Sequence, residues 1–268
     1  MESTAMQRHL ILLGALALLA LAAPPYGSAQ SSIQGSLHVL FVGNSLTDHN
    51  GMPQTVAGLA KTAPRALYVQ PELDCPHGVI TFETHWKSGQ VKTMVEKGGH
   101  WDWAVFNENS AVPSFPMGEL RREMYPYGHQ FHDYLKGRGV KMLLVMTWGF
   151  KDGDRANNPN DTFDAMGDRL QRGYEGLADE LHVPIAPVGL AWKQVRRERP
   201  DLNLYEDDHH PSAMGSYLMA CVVYRVLVPG SHVAGNGFYA GLPADVAAYL
   251  QKVADQTVDA YPRARTSP

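Results

Sequence analysis

Three stretches of the chain carry side chains that together can break an ester bond. Gly43-Asn44-Ser45-Leu46-Thr47 offers a hydroxyl. Asn107-Glu108-Asn109-Ser110 offers amides and a carboxylate. Asp207-Asp208-His209-His210-Pro211 offers carboxylates and imidazoles. A serine hydroxyl is not ionised at neutral pH and needs an adjacent base to take its proton as the new C–O bond forms. Imidazole suits that role, and a carboxylate on its other ring nitrogen sets the tautomer and stabilises the imidazolium. Asp207 and His210 are three apart, just before Pro211. Proline is suited to a first helical position and disfavours helical geometry in the residue before it, which places His210 at the mouth of a helix. Asp208 and His209 fit the spacing less well but stay open. The oxyanion of such a reaction needs pre-placed N–H donors. Candidates are the backbone of Ser45, the side-chain amide of Asn109 and the backbone of a glycine, Gly89 by its position.

These groups meet only if the fold delivers them to one rim. Apolar runs at Leu37–Val42, Asp102–Phe106 and Lys141–Thr147 read as buried strands, with a weaker one at Val183–Val188 between prolines. A further strand is expected between Tyr68 and Phe82, as LYVQPEL or as VITF. Helical patterns fall at Met52–Ala63, Val91–Lys97, Met117–Lys136, Phe163–Leu181, Pro211–Val228 and Ala244–Ala260. Strands alternating with helices imply a three-layer α/β/α domain around a parallel sheet of about five strands. In such sheets ligands bind beyond the carboxyl ends of the strands, which is where Ser45, Asn109 and Trp148 fall. Trp148 is assigned there as a substrate-binding platform for a sugar ring. Trp86, just before Gly89, offers the same, with core packing the alternative for both.

GNSLT after the first strand resembles the first block of the SGNH, or GDSL-like, hydrolases. Gly89 resembles the second-block glycine, Asn107-Glu108-Asn109 is similar to the Gly-x-Asn third block, and Asp207-x-x-His210 is similar to the fifth. The blocks come in family order from Gly43 to Pro211, with Asn44 in place of the usual aspartate and Asn107 in place of glycine, as in a GNSLT-type branch. The resemblance implies a flavodoxin-like fold and an esterase working through an acyl-enzyme. Ser45 is then the nucleophile, His210 the base and Asp207 its partner, with Ser45, Gly89 and Asn109 forming the oxyanion hole and no cofactor or metal required. The α/β-hydrolase elbow Gly-x-Ser-x-Gly is not met, because Thr47 stands at the last glycine.

The 268 residues carry 23 basic and 27 acidic side chains, a net charge of −4, which gives no electrostatic footprint for nucleic acid. Leu10–Ala23 is an uncharged apolar run, shorter than the roughly 20 residues a membrane span needs. With Arg8 before it and Gly27-Ser28-Ala29 after it, this reads as a signal peptide, residues 1–29, cut after Ala29. Glu2 spoils a basic start, so Met6 competes with Met1 as initiator. Residues 30–268 then form one hydrolase domain, secreted or periplasmic, without a later membrane span. Cys75 and Cys221 can pair once or stay as thiols, and oligomeric state is left open. His129 and His132, spaced as metal ligands can be, read as a surface or core pair. His49 reads as a pocket or solvated residue, and Arg196, Arg197 and Arg199 as a solvated helix end. The expected substrate is an acyl ester, O-acetyl on a carbohydrate. The rivals are a non-catalytic carbohydrate-binding protein on the same fold and a metal-dependent hydrolase using Asp48, His49, Asp207 and His209.

Overall fold

The computed structural model describes residues 35–264, so the proposed leader lies outside the described residues. In chain order these residues form β1 (Ser36–Val42), α1 (Ser45–Asp48), α2 (Met52–Thr62), β2 (Tyr68–Asp74), α3 (Phe82–Ser88), α4 (Gln90–Lys97) and β3 (Trp103–Phe106). There follow α5 (Met117–Glu123), α6 (Tyr125–Lys136), β4 (Lys141–Val145), α7 (Phe163–Leu181), β5 (Ile185–Ala186), α8 (Val188–Glu198), α9 (Ala213–Leu227) and α10 (Ala244–Ala260). The five strands make one parallel sheet in the order β2-β1-β3-β4-β5. One helical group, α2, α8, α9 and α10, packs together; α3 to α7 form the other. This is the flavodoxin-type strand order, whose chain reverses direction across the sheet between β1 and β3.

The strands are continuous apolar runs because helices cover both faces of the sheet. Val39–Val42 of β1 and Trp103–Phe106 of β3 are all buried. Pro71 sits in β2, an edge strand, where its missing N–H leaves no ladder position empty. Of the two alternatives for this strand, LYVQPEL is the correct one, and the segment written as VITF instead runs into α3. β5 is only two residues long because Pro184 and Pro187 flank it.

The pattern Met117–Lys136 is not one helix but two. Pro126 enters at the start of α6, and without an N–H it cannot continue the bonds of α5. Two helices were not expected. α3 opens with a reciprocal Thr81–Thr84 capping box. α8 buries Val188, Ala191, Trp192 and Val195 along one stripe. The most buried helix is α9, apolar on nearly every side from Gly215 to Leu227. Its one buried charge, Arg225, lies 2.7 Å from Asp255 and 2.5 Å from Asp259. That anchorage makes α9 a firm base for whatever stands at its N-terminus. No helix among the described residues is long and apolar enough to cross a membrane.

Candidate active site

Register brings the first two motifs together. Val42 of β1 pairs with Phe106 of β3, so Ser45 and Asn109 each follow by three residues at adjoining strand ends. The turn between them is held by amides. Asn44 caps α1 by accepting from Leu46 N–H at 3.1 Å and donates to the Glu108 carbonyl at 3.2 Å. Asn107 donates to the Asn44 side-chain oxygen at 3.1 Å and accepts from the Thr47 hydroxyl. The two departures from the family pattern, Asn44 and Asn107, therefore form one paired unit. Gly43 must be glycine here, because a Cβ would fall on the Asn107 amide and on Thr47 Oγ1.

The third motif arrives on a clamped loop. Ser212 caps α9, and Tyr205 pairs with Pro211 in an antiparallel bridge. Glu206 N–H donates to the His210 carbonyl at 2.9 Å, Lys151 N–H to the Asp208 carbonyl at 2.7 Å, and Trp148 Nε1–H to the His209 carbonyl at 3.0 Å. Asn50 donates to the Pro211 carbonyl at 2.9 Å. On this frame the Asp207 carboxylate accepts from His210 Nδ1–H at 2.7 Å. A carboxylate only accepts, so that nitrogen carries the proton and Nε2 is bare. Ser45 Oγ–H then donates to His210 Nε2 at 2.9 Å. Burial opposes the charge on Asp207, yet the N–H groups of His209 and His210 and the His210 ring hold its carboxyl well below the usual carboxylate range. The order acid, imidazole, hydroxyl is that of a nucleophilic triad.

Ser45, Asn109, His209 and His210 line one open recess of about 360 Å³ with His77 and Gly78. Asn109 Oδ1 accepts from Ala111 N–H at 3.2 Å, which leaves its amide nitrogen as the free donor. Gly89 caps α3 at φ 72° and is not among the residues lining this recess, whereas Gly78, at φ 114°, is. A helix the sequence pattern did not predict, α3, begins at Phe82, and the short segment between β2 and α3 carries Gly78 to the rim instead. His49, left open by the sequence, stacks on the His210 ring at 5.0 Å and bonds Glu206 at 2.9 Å. Asp208 pairs with His209, not with His210.

The assignment of Trp148 as a substrate platform is wrong. Its ring is only 2% exposed and stacks on Trp192 at 3.9 Å, with its N–H spent on the His209 carbonyl. It supports the Asp207–His210 loop from beneath. Trp86 also packs inward, edge-on to Phe131 at 5.0 Å. Arg196 is not a freely solvated side chain, since it lies over Phe163 at 4.1 Å and donates to the Lys151 carbonyl at 3.1 Å. His129 and His132 take separate partners, Glu180 and Asp133. Asp207, His209 and His210 offer ligand atoms within 4.8 Å of one another, but Asp207 and His210 are already joined in the row that ends at Ser45. Of the metal rival's other members, His49 is bound to Glu206, and Asp48 lies 3.7 Å from His77. Both cysteines are free thiols, and burial first, with nearby Asp48 and Asp74, pushes Cys75 up to about 12.

Sequence reasoning gave no separate role to three groups behind the recess, the buried Glu108 and His85 and the partly buried Asp74. Glu108 is fully buried; its carboxyl accepts from Phe82 N–H at 3.0 and 3.1 Å and from Asn109 N–H at 2.6 Å. Burial pushes it up to about 8 against the pull of those N–H groups. The other two are His85 and Asp74, 2.9 Å apart. Glu108 lay in view inside the third motif; nothing local marked the pair.

No family model and no curated protein sequence matches the chain. Solved structures do. A candidate SGNH hydrolase from Slackia heliotrinireducens is 22% identical, with a TM-score of 0.57 over 71% of this chain and 98% of its own. A candidate GDSL-like lipase from Parabacteroides merdae is 13% identical, with a TM-score of 0.53 over 74% of this chain and 98% of its own. A catalytic mutant of an acetylxylan esterase from Geobacillus stearothermophilus is 16% identical, with a TM-score of 0.52 over 71% of this chain and 94% of its own. The strand order, the layers and these likenesses together give one conclusion: the chain has the SGNH-hydrolase fold.

Proposed function

We propose that this chain is a serine ester hydrolase of the SGNH type that removes short acyl groups, O-acetyl foremost, from a carbohydrate. The observation that carries the reading is the unbroken row Asp207–His210–Ser45, at 2.7 and 2.9 Å. As Ser45 Oγ attacks the ester carbonyl, its proton passes to His210 Nε2, and the imidazolium is stabilised by Asp207. The oxyanion faces the Asn109 amide and the backbone N–H of Ser45. Collapse expels the alcohol, which takes the proton from Nε2. Water, activated by the same nitrogen, then frees the acid and restores Ser45.

Two features favour a short acyl group on a polar alcohol. The recess, at about 360 Å³, is near the small end of ligand sites. Its walls are mostly polar side chains, three imidazoles, two amides and two hydroxyls, with Leu46 and Val79 as the apolar side chains, too little to sheathe a long chain. The likeness to an acetylxylan esterase points the same way. The apolar run at Leu10–Ala23 supports export as a signal peptide, which would bring the enzyme to extracellular glycans. The test is a fluorophosphonate probe mapped by peptide, with turnover of aryl acetate, aryl palmitate and acetylated xylo-oligosaccharides. Labelling at Ser45, abolished by Ser45→Ala, and preference for acetyl esters are expected. Folded protein that neither labels nor hydrolyses would refute the esterase, and preference for palmitate would refute the substrate class.

A further inference from the structure

A second histidine–carboxylate pair lies behind the nucleophile, unused by the triad. His85, on α3, is 3% exposed. Its Nε2 lies 2.8 Å from the Gly43 carbonyl and its Nδ1 2.9 Å from Asp74 Oδ2. A carbonyl oxygen can only accept, so Nε2 carries a proton. A second proton must then sit between Nδ1 and Oδ2, because two bare lone pairs at 2.9 Å would repel in the interior. Asp74 grips the same residue from its other side, its own carbonyl accepting from Gly43 N–H at 3.1 Å. Gly43 is thus held at both backbone polar groups by the two members of one pair.

This matters because Gly43 has no side chain by which packing could hold it. The Asn107 amide and Thr47 hydroxyl occupy the place of a side chain, so packing of a Cβ cannot locate this peptide. Its position passes directly to Asn44 and then to Ser45. We infer that Asp74 and His85 are positioning residues for the nucleophile: they fix the Gly43–Asn44 peptide and thereby keep Ser45 Oγ in line with His210. The inference rests on the esterase reading for its activity readout alone.

Amide substitutions separate the two ring nitrogens. The side-chain nitrogen of His85→Gln reaches about as far as Nε2 and can still donate to Gly43. His85→Asn reaches only about as far as Nδ1 and leaves the Gly43 carbonyl unpaired. Both variants are compared with the unaltered protein by kcat and KM on aryl acetate, by the rate of Ser45 labelling and by thermal melting. A displacement of about 1 Å at reacting groups costs about 100-fold, so His85→Asn should lose about that in kcat with KM within about threefold. His85→Gln should recover to within about tenfold of the unaltered rate. A folded His85→Asn protein with unaltered kcat, or equal impairment of both variants, overturns the inference. A structure-only readout stands beside these: in 15N-histidine-labelled protein, His85 should show an exchange-protected proton on Nε2, bonded to the Gly43 carbonyl. A ring with no proton on Nε2 overturns it even if a variant fails to fold. If the unaltered protein neither labels nor hydrolyses, the esterase reading fails, and the Nε2 proton still decides whether His85 holds Gly43.

Discussion

Replacing Glu108 by glutamine should change stability with a sign that depends on pH. The carboxyl is buried, and burial raises it from 4.5 to about 8, with the Asn109 and Phe82 N–H groups pulling the other way. Its folded value lies above its unfolded one, so the folded chain holds the proton to higher pH. Stability from the neutral carboxyl is fully present below about 4.5 and is lost as pH rises through about 8. At about 1.4 kcal/mol per pH unit, the interval amounts to as much as about 5 kcal/mol. Glu108→Gln never ionises and removes this slope. It adds a constant penalty instead, because its NH2 group meets a backbone N–H where an oxygen accepted, which costs about 1–3 kcal/mol. The variant should therefore be less stable than the unaltered protein near pH 5 and equal or more stable near pH 8.5. Urea melts of both proteins across that range measure the difference, and other titrating groups cancel in it. A difference that is flat with pH, or that grows against the variant as pH rises, would refute the reasoning.

Three further outcomes follow from the site. Asp207→Asn should cut kcat by about 10³–10⁴, because an amide no longer enforces Nδ1–H or stabilises the imidazolium; a loss below about tenfold would remove Asp207 from the triad. Acid should disarm the same link. The folded carboxyl is held below its ordinary range, so its contribution is present at neutral pH and is lost as pH falls toward the folded value, which a pH series of melts on Asp207→Asn and unaltered protein would follow. Trp148→Ala should destabilise by about 3–5 kcal/mol as a core deletion, with kcat falling as the His209 carbonyl loses its donor. A rise in KM confined to glycan esters, at unaltered stability, would restore Trp148 as a sugar platform.

Local chemistry made much of this protein legible as sequence. Buried strands announce themselves as apolar runs, so β1, β3 and β4 stand close to where the residues put them. α7 and α10 follow their apolar periodicity to the residue. Pro211 was expected to open α9 but stands one residue before its cap, Ser212, in the bridge to Tyr205; Ser45, Asn109, Asp207 and His210 could be nominated because their chemistry has few other uses in that order. What tertiary packing alone decided is where side chains of mixed character went. A tryptophan at a strand end suits a sugar or a core equally, and only the Trp192 face opposite Trp148 settled it. A glycine is unmarked by type, and only the path after β2 put Gly78 rather than Gly89 on the wall of the recess. Asp74 and His85 lie in separate elements, and only the closing of α3 over the sheet ends made them a pair. Periodicity and motif order are properties of neighbours along the chain. Burial and partnership belong to neighbours in space, and those exist only once the sheet has brought its strand ends to one rim.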